Sequence, residues 1–469
     1  MYCNARVTFD GDPRNDRSES SLAANPVNPS NMVGSSKKFF DPTIYAFTLA
    51  AYYTFNGGRS WNEAPALELL ANWAGTSDPA VACDNMGNAF LVALPFSPGT
   101  PTDFTGPVIG IAVYKSSDGG QSWSPPNLIH ASAGDDKQWA AADNSPASPY
   151  QGNVYAVWDN GSQLAFARTL DHGASWAGVG AQSVGSPLAF DSFAPDISVA
   201  ADGTVFIVWV AGSAIKFVKS TDGGNSFSAP AIAVSGITPV PGQLPGGKFR
   251  VFTLPAGCAG TGGTVVFAWA DMREGVSRIY YCFSNDSGTR WQGGPSGQPL
   301  LPGWLASRSN QHDFHPQLVT TPDGRIGCAF YEFGPKWWWW WPWPPWGPLL
   351  IDVVLSISTD NGATFSSRET VTSQPWDPTI DAPFAHGSPN VTFIGDYFGL
   401  AGSSLGFFPF WTDTRTGMQE IFAGYQPPWW CWFFCWFWGW SWGWRSWFVH
   451  ARVWWRRRAY RRRQRQVRA

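Results

Sequence analysis

The stretch Ser220-Thr-Asp222-Gly-Gly224-Asn-Ser226-Phe227 decides the fold, because its pattern returns at 54–61, 116–123, 169–176, 284–291 and 358–365. The unit is a hydroxyl residue, any residue, Asp or Asn, any residue, Gly, any residue, Ser or Thr (once Arg), and an aromatic. Self-similarity at a spacing of roughly 50–75 residues is the mark of a propeller or solenoid. The central residue (Asn56, Asp118, Asp171, Asp222, Asp286 and Asp360) can accept hydrogen bonds from the amides of its own turn. The Gly two places later suits a positive φ, and the final Trp or Phe anchors the turn by packing. These six residues are therefore expected to be structural.

A second repeat lies between the turns. Each unit opens on an Asp or Pro element and continues as two short apolar runs split by a Gly turn, as in Pro195-Asp-Ile-Ser-Val and Gly203-Thr-Val-Phe-Ile-Val-Trp209. Such runs, bounded by Gly, Pro, Asn and Asp, are strand signals. No window carries a helical period. The 50 Gly and 38 Pro fit many tight turns.

The repeated turn resembles the Asp box, or BNR repeat, of the sialidase superfamily, over roughly residues 18–425. The resemblance implies an all-β propeller of four-stranded antiparallel blades. It places each box between the third and fourth strands of a blade, on the face opposite the active site. Counting units gives seven blades: about 18–65, 66–130, 131–180, 181–235, 236–300, 301–372 and 373–425. The six blades usual in sialidases are the alternative. The seventh unit has no box and lacks an outer strand, which residues 5–9 are expected to supply. Such closure leaves no exposed sheet edge.

The expected domains are a propeller over 1–426, with a Trp/Pro-rich insert at 336–348, and a tail over 427–469. The formal net charge is −3, yet ten Arg and no acid follow Glu420, so the rest of the chain carries −13. Seven of the 30 Trp fall in 337–346 and eleven in 429–455. Trp favours the membrane interface and Arg its phosphates, which makes an anionic membrane surface a candidate partner for 427–469. The tail reads as interfacial, being short for a span of about 20 apolar residues. A rival reading is accidental: Trp has one codon, and a simple DNA repeat or shifted frame yields such tracts.

Four of the seven cysteines, Cys83, Cys258, Cys282 and Cys328, lie in or near strand runs and read as buried thiols, with a Cys258–Cys282 pairing as the alternative. No zinc spacing is present, and no metal or cofactor is expected. Met1-Tyr-Cys-Asn-Ala-Arg lacks an apolar leader, although Asn160-Gly-Ser, Asn285-Asp-Ser and Asn390-Val-Thr match the glycosylation sequon. By resemblance the protein is expected outside the cell or at its surface, with a glycan or glycoconjugate as partner and no nucleic acid.

The resemblance also locates the functional mouth, at segments entering each inner strand and loops leaving each second strand. Carboxyls there are Asp136, Asp159, Asp191, Asp196, Asp271, Asp313, Glu332, Asp396 and Asp413; glycoside hydrolysis needs two that face each other, and the candidates are Asp136, Asp271, Asp313, Asp396 and Asp413. With Tyr397 they form the candidate catalytic set. Lys137, Trp139, Arg273, His312, His315, Glu332 and Arg415 are candidate ligand-binding residues. Asp271/Arg273 and Asp413/Arg415 repeat one pattern, W-x-D-x-R, which also suits a salt bridge within a blade. True sialidases carry an early Arg-Ile-Pro motif and three Arg on the substrate carboxylate. Here the first blade reads Glu19-Ser-Ser-Leu-Ala-Ala-Asn-Pro. The expectation is thus a glycan-directed propeller, either hydrolase or binding protein, without efficient action on sialosides.

Overall fold

A computed structural model describes residues 2–9, 12, 14–336, 347–386 and 388–427. The described residues form seven four-stranded antiparallel blades and no helix. Blade 1 comprises Arg17–Ala24, Met32–Asp41, Ala46–Thr54 and Asn62–Glu63. Blade 2 comprises Gly75–Cys83, Ala89–Thr100, Ile111–Ser116 and Asn127–His130, with Asp103–Val108 added to its second strand. Blade 3 is Asp135–Ala142, Val154–Asn160, Gln163–Thr169 and Ala189–Phe190, and blade 4 is Phe193–Val199, Val205–Ala211, Ala214–Ser220 and Ala231–Ser235. Blade 5 is Ala256–Ala259, Val265–Asp271, Arg278–Ser284 and Gln298–Pro299, and blade 6 is His312–Thr320, Ile326–Pro335, Leu349–Ser358 and Glu369–Thr370. The expected break at 180 falls too early, since blade 3 reaches Phe190 for its outer strand.

Blade 7 pairs Gly399–Ser403, Gly406–Asp413 and Glu420–Tyr425 with the N-terminal strand Cys3–Arg6. The ring therefore closes as expected, but two residues earlier than 5–9. Cys3 lies opposite Tyr425 and Arg6 opposite Phe422. Asn4 anchors this strand: its Nδ2 donates to the Val371 carbonyl at 2.8 Å and its Oδ1 accepts from Arg415 Nη1 at 2.9 Å.

The second strands of blades 3, 4 and 5 open on apolar runs, such as Val205-Phe-Ile-Val-Trp-Val210, whose residues are buried on both faces. Trp158, Trp209, Trp269 and Trp411 occupy the second strands of blades 3, 4, 5 and 7 and are fully buried. Cys83, Cys258, Cys282 and Cys328 are buried free thiols. The tract 337–346 and the tail from 428 lie outside the described residues. The tract joins the second and third strands of blade 6, where Lys336 N donates to the Pro348 carbonyl at 3.1 Å.

Every repeated turn sits between a third and a fourth strand. In blade 4, Asp222 Oδ1 accepts from Ser226 N at 2.8 Å and from Ser220 Oγ at 2.8 Å, while Ser220 Oγ accepts from Gly224 N at 2.8 Å. The terminal aromatics reach beyond their own sheets. Phe227 packs on Phe166 of blade 3 at 5.0 Å, Trp291 on Phe217 of blade 4 at 5.1 Å, and Phe365 on Tyr281 of blade 5 at 5.1 Å. Trp61 closes the ring against Phe410 of blade 7 at 5.3 Å. The turns thus staple blade to blade.

Candidate functional site

The inner strands carry a second recurring feature, at the opposite end. In five blades two inner-strand residues oppose one residue of the second strand: Glu19-Ser20 opposite Ser36, Asp78-Pro79 opposite Ala93, Lys137-Gln138 opposite Trp158, Ala194-Pro195 opposite Trp209, and His315-Pro316 opposite Phe330. The first residue of each bulge has a positive φ: 57° at Glu19, 53° at Asp78, 53° at Lys137, 54° at Ala194 and 48° at His315. A left-handed residue with a Cβ costs on the order of 1–3 kcal/mol, and such strain clusters at functional sites. Pro follows in three cases at no expense, because the bulged residue has no ladder bond to lose. Four of the five strained residues are ionisable, and the bulges bring them to the propeller axis.

The contacts at the axis cross blades. Asp396, from blade 7, accepts from Lys137 Nζ of blade 3 at 3.0 Å. It also accepts from Arg250, through Nη2 at 2.7 Å and Nε at 3.1 Å. Arg250 belongs to the connection between blades 4 and 5. Its guanidinium lies 4.7 Å from the Phe393 ring. Tyr397 donates its hydroxyl proton to Asp78 Oδ2 at 2.9 Å. Ser77 Oγ contacts Glu19 Oε2 at 3.1 Å and Asp78 Oδ1 at 2.7 Å, bridging two carboxyls. Lys37 Nζ stands 3.7 Å from Glu19 Oε2 and 4.0 Å from the Phe47 ring centroid.

Burial separates the proton affinities of these groups. Glu19 is raised by burial and then by Asp78. Asp196 is pushed up to about 7 by burial, and Asp159 to about 6. Asp396 goes the other way: burial alone would raise it, but Lys137 and Arg250 hold it far below the carboxylate range. Burial and then Asp78 push the Tyr397 hydroxyl well up. Burial brings His315 down to about 4. Asp136 is exposed as a residue, yet the crowding of its carboxyl by protein groups raises its affinity for a proton; Lys137 opposes the rise, and Asp78 and Asp396 add to it. The Trp139 ring is 5.8 Å from that of Tyr397. An axial cavity of about 30 Å³ is lined by Lys137, Trp139, Asp196, His315, Asp396 and Tyr397, among others.

Of the expected site residues, Asp136, Lys137, Trp139, His315, Asp396 and Tyr397 come together at the axis. The others are engaged away from the axis, within a blade or, for His312 and Asp313, also with Ser277 and Arg278 of the neighbouring blade 5. Asp271 accepts from Trp269 Nε1 at 3.0 Å and pairs with Arg273, which lies 4.1 Å from the Tyr280 ring. Asp413 repeats this clasp with Trp411 Nε1 at 2.9 Å and Arg415 Nη2 at 2.6 Å. In blade 6, Ser307 Oγ lies 2.7 Å from both Asp313 Oδ1 and Glu332 Oε2 and bridges them, and Glu332 pairs with Lys336 at 2.7 Å and with Arg368. Burial and Glu332 push Asp313 up to about 7. His312 Nδ1 accepts from Ser277 N at 3.1 Å. Among the described residues no group of three His, Cys, Asp or Glu is placed to hold a metal.

Sequence reasoning missed Glu19, Lys37, Asp78 and Arg250. A signal for Asp78 was present, since Asp78-Pro, Ala194-Pro, Leu254-Pro and His315-Pro recur where inner strands begin. Glu19 is found by aligning its strand with these. Arg250 lies in an irregular connection and carries no such signal.

No family model and no curated protein match the chain. Among solved structures it is similar to a protein of unknown function from Dyadobacter fermentans, at 13% identity and TM-score 0.46 over 76% of this chain and 98% of that one. It is similar to a leech intramolecular trans-sialidase at 13% identity and TM-score 0.47, over 70% of this chain and 67% of that one. A Trypanosoma rangeli sialidase follows at 12% and 0.44, over 70% of this chain and 56% of that one. Independently of these likenesses, the strand ladders make the chain a seven-bladed β-propeller.

Proposed function

We propose that the chain is a glycan-directed propeller whose working site is the axial mouth, and that it acts on its glycan by acid–base chemistry. The observation that carries the reading is the set of strained, ionisable bulge residues converging from separate blades, since a fold that needed only packing would place apolar residues there. The resemblance of the repeated turns to those of sialidases supports the choice of glycans.

The roles follow from access and charge. Asp136 is the carboxyl that water reaches and whose proton affinity is raised, which suits a proton donor to a leaving oxygen. Tyr397 is the nucleophile and Asp78 the base that accepts its proton along the 2.9 Å hydrogen bond. Trp139 offers an aromatic face for a sugar ring. The axial cavity is too small for that ring, since even benzene takes a cavity of about 150 Å³, so the sugar sits at its mouth, against Asp136 and Trp139.

The same cavity size favours a second reading, glycan binding without turnover. A panel of fluorogenic glycosides and a glycan array, run on wild type, Asp136→Asn and Tyr397→Phe, tests both. Turnover lost by about 100-fold or more in the variants supports the acid–base reading. Binding retained without turnover in wild type supports the second. Neither binding nor turnover refutes a glycan function. With one Arg at the axis among the described residues, sialosides are expected to be poor substrates.

We also propose that residues 427–469 hold the acidic propeller at anionic membranes, each Arg near such a surface contributing about 1 kcal/mol before screening. Liposome flotation with and without these residues tests this. Equal failure of both forms to float at low salt rules it out.

A further inference from the structure

His315 is the one strained axial residue with no partner for its polar atoms. Its φ is 48°, it is 2% exposed, and neither ring nitrogen has a hydrogen-bond partner among the described residues. The ring is flanked by Phe314 at 5.0 Å and Tyr331 at 6.3 Å, and it lines the axial cavity. The fold does not need an imidazole here. At the same level blade 4 presents Ala194 and blade 5 presents Leu254, both apolar and both lining the same cavity. A buried polar group left unsatisfied costs about 1–3 kcal/mol. Strain and burial are both carried where this ring lines a space of about 30 Å³.

We infer that this cavity is a binding site for water, or for an uncharged hydroxyl compound of similar size, and that His315 holds it. A neutral imidazole offers one donor and one acceptor, which matches a hydroxyl and not an ion. A cation would face Lys137 and Arg250, and an anion would face Asp196 and Asp396. A cavity of this size holds one or two waters, and a buried water typically makes about three hydrogen bonds. Lys137, Asp196 and Gln317 border the space and offer further donors and acceptors. The bound molecule lies beside the Lys137–Asp396 pair, so His315 acts as a positioning residue for that pair through it. Burial keeps His315 neutral down to about pH 4, so the site keeps its donor and acceptor across the physiological range.

The inference stands or falls without any glycan turnover, so its failure is separable from failure of the functional reading. The test is crystallography of the full chain with and without pressurised xenon, since polar cavities stay wet while apolar ones take xenon. Wild type is expected to show one or two waters, with at least one within hydrogen-bond reach of a His315 nitrogen, and no xenon. His315→Gln, which keeps a donor and an acceptor, is expected to retain water. His315→Leu is expected to lose the water held at the ring nitrogens. Xenon in the wild-type cavity, or no water at either ring nitrogen, overturns the inference, as does a His315→Gln cavity as dry as that of His315→Leu.

Discussion

The two ends of the propeller use repetition in opposite ways. At one end six turns repeat the same solution: an Asp or Asn collects amide and hydroxyl donors, Gly makes the positive φ, and an aromatic reaches the preceding blade. At the other end five inner strands repeat a backbone bulge but fill it differently, with Glu19, Asp78, Lys137, Ala194 and His315. Inner and third strands run the same way, so a bulge at the start of one and a turn at the end of the other lie at opposite ends. Identity across blades marks what every blade needs in order to stand. Variation on a shared backbone device marks the place where blades make different contributions to one site. The most conspicuous acids in this sequence accept the hydrogen bonds of their own turns.

The largest effect on stability is expected from the varied end. Lys137→Met leaves the buried Asp396 carboxylate with only one cation, and losing a partner of a buried ion pair costs about 3–5 kcal/mol. Chemical denaturation measures it, and a loss below about 1 kcal/mol would show that Arg250 alone neutralises Asp396. A smaller effect is expected at the repeated end. Asp222→Ala removes one set of turn hydrogen bonds among six and should cost about 0.5–2 kcal/mol, with the mouth untouched.

pH should also separate the two ends. In the turns the slight burial of the Asp118, Asp171, Asp222 and Asp360 carboxyls alone would raise them, but their hydrogen bonds hold them below the usual range. Their contribution is present above an unfolded value near 4 and is lost as pH falls below it. Asp159, Asp196 and Asp313 are raised to about 6, 7 and 7. Their folded forms keep protons that the unfolded chain releases, so their contribution is complete below about pH 4 and is lost as pH rises through 6 to 7. Thermal stability should peak near pH 4–5 and decline toward pH 8, on the order of 1 kcal/mol per pH unit for each titrating group. A curve rising from pH 5 to 8 would contradict the burial assigned to these acids.

The fold was largely legible because propeller information is local. A turn of eight residues and two apolar runs recur at short range, and ring closure followed from counting strands. The closing strand slipped by two residues because Cys3–Arg6 and 5–9 share an irregular apolar pattern that leaves register open. The site was half legible. Asp136, Lys137, His315, Asp396 and Tyr397 stand at the heads of inner strands, where position alone recommends them. Asp271, Asp313 and Asp413 stand equally close in sequence to the mouth, but Trp269, Ser307 and Trp411 engage them inside their own blades, and sequence does not show what a carboxyl is bonded to. Arg250 reaches the axis from an irregular connection of some twenty residues, a placement fixed only by tertiary packing of neighbours such as Phe249 and Val251.

The division between the two ends is tested most directly by measuring glycan turnover and binding for Asp136→Asn, Tyr397→Phe and Asp222→Ala under identical conditions, with folding checked by circular dichroism. The two mouth variants are expected to stay folded and lose turnover by about 100-fold or more, while Asp222→Ala keeps wild-type activity per folded molecule. A folded Asp222→Ala protein that loses activity, beside mouth variants that keep it, would reverse the assignment of the two ends.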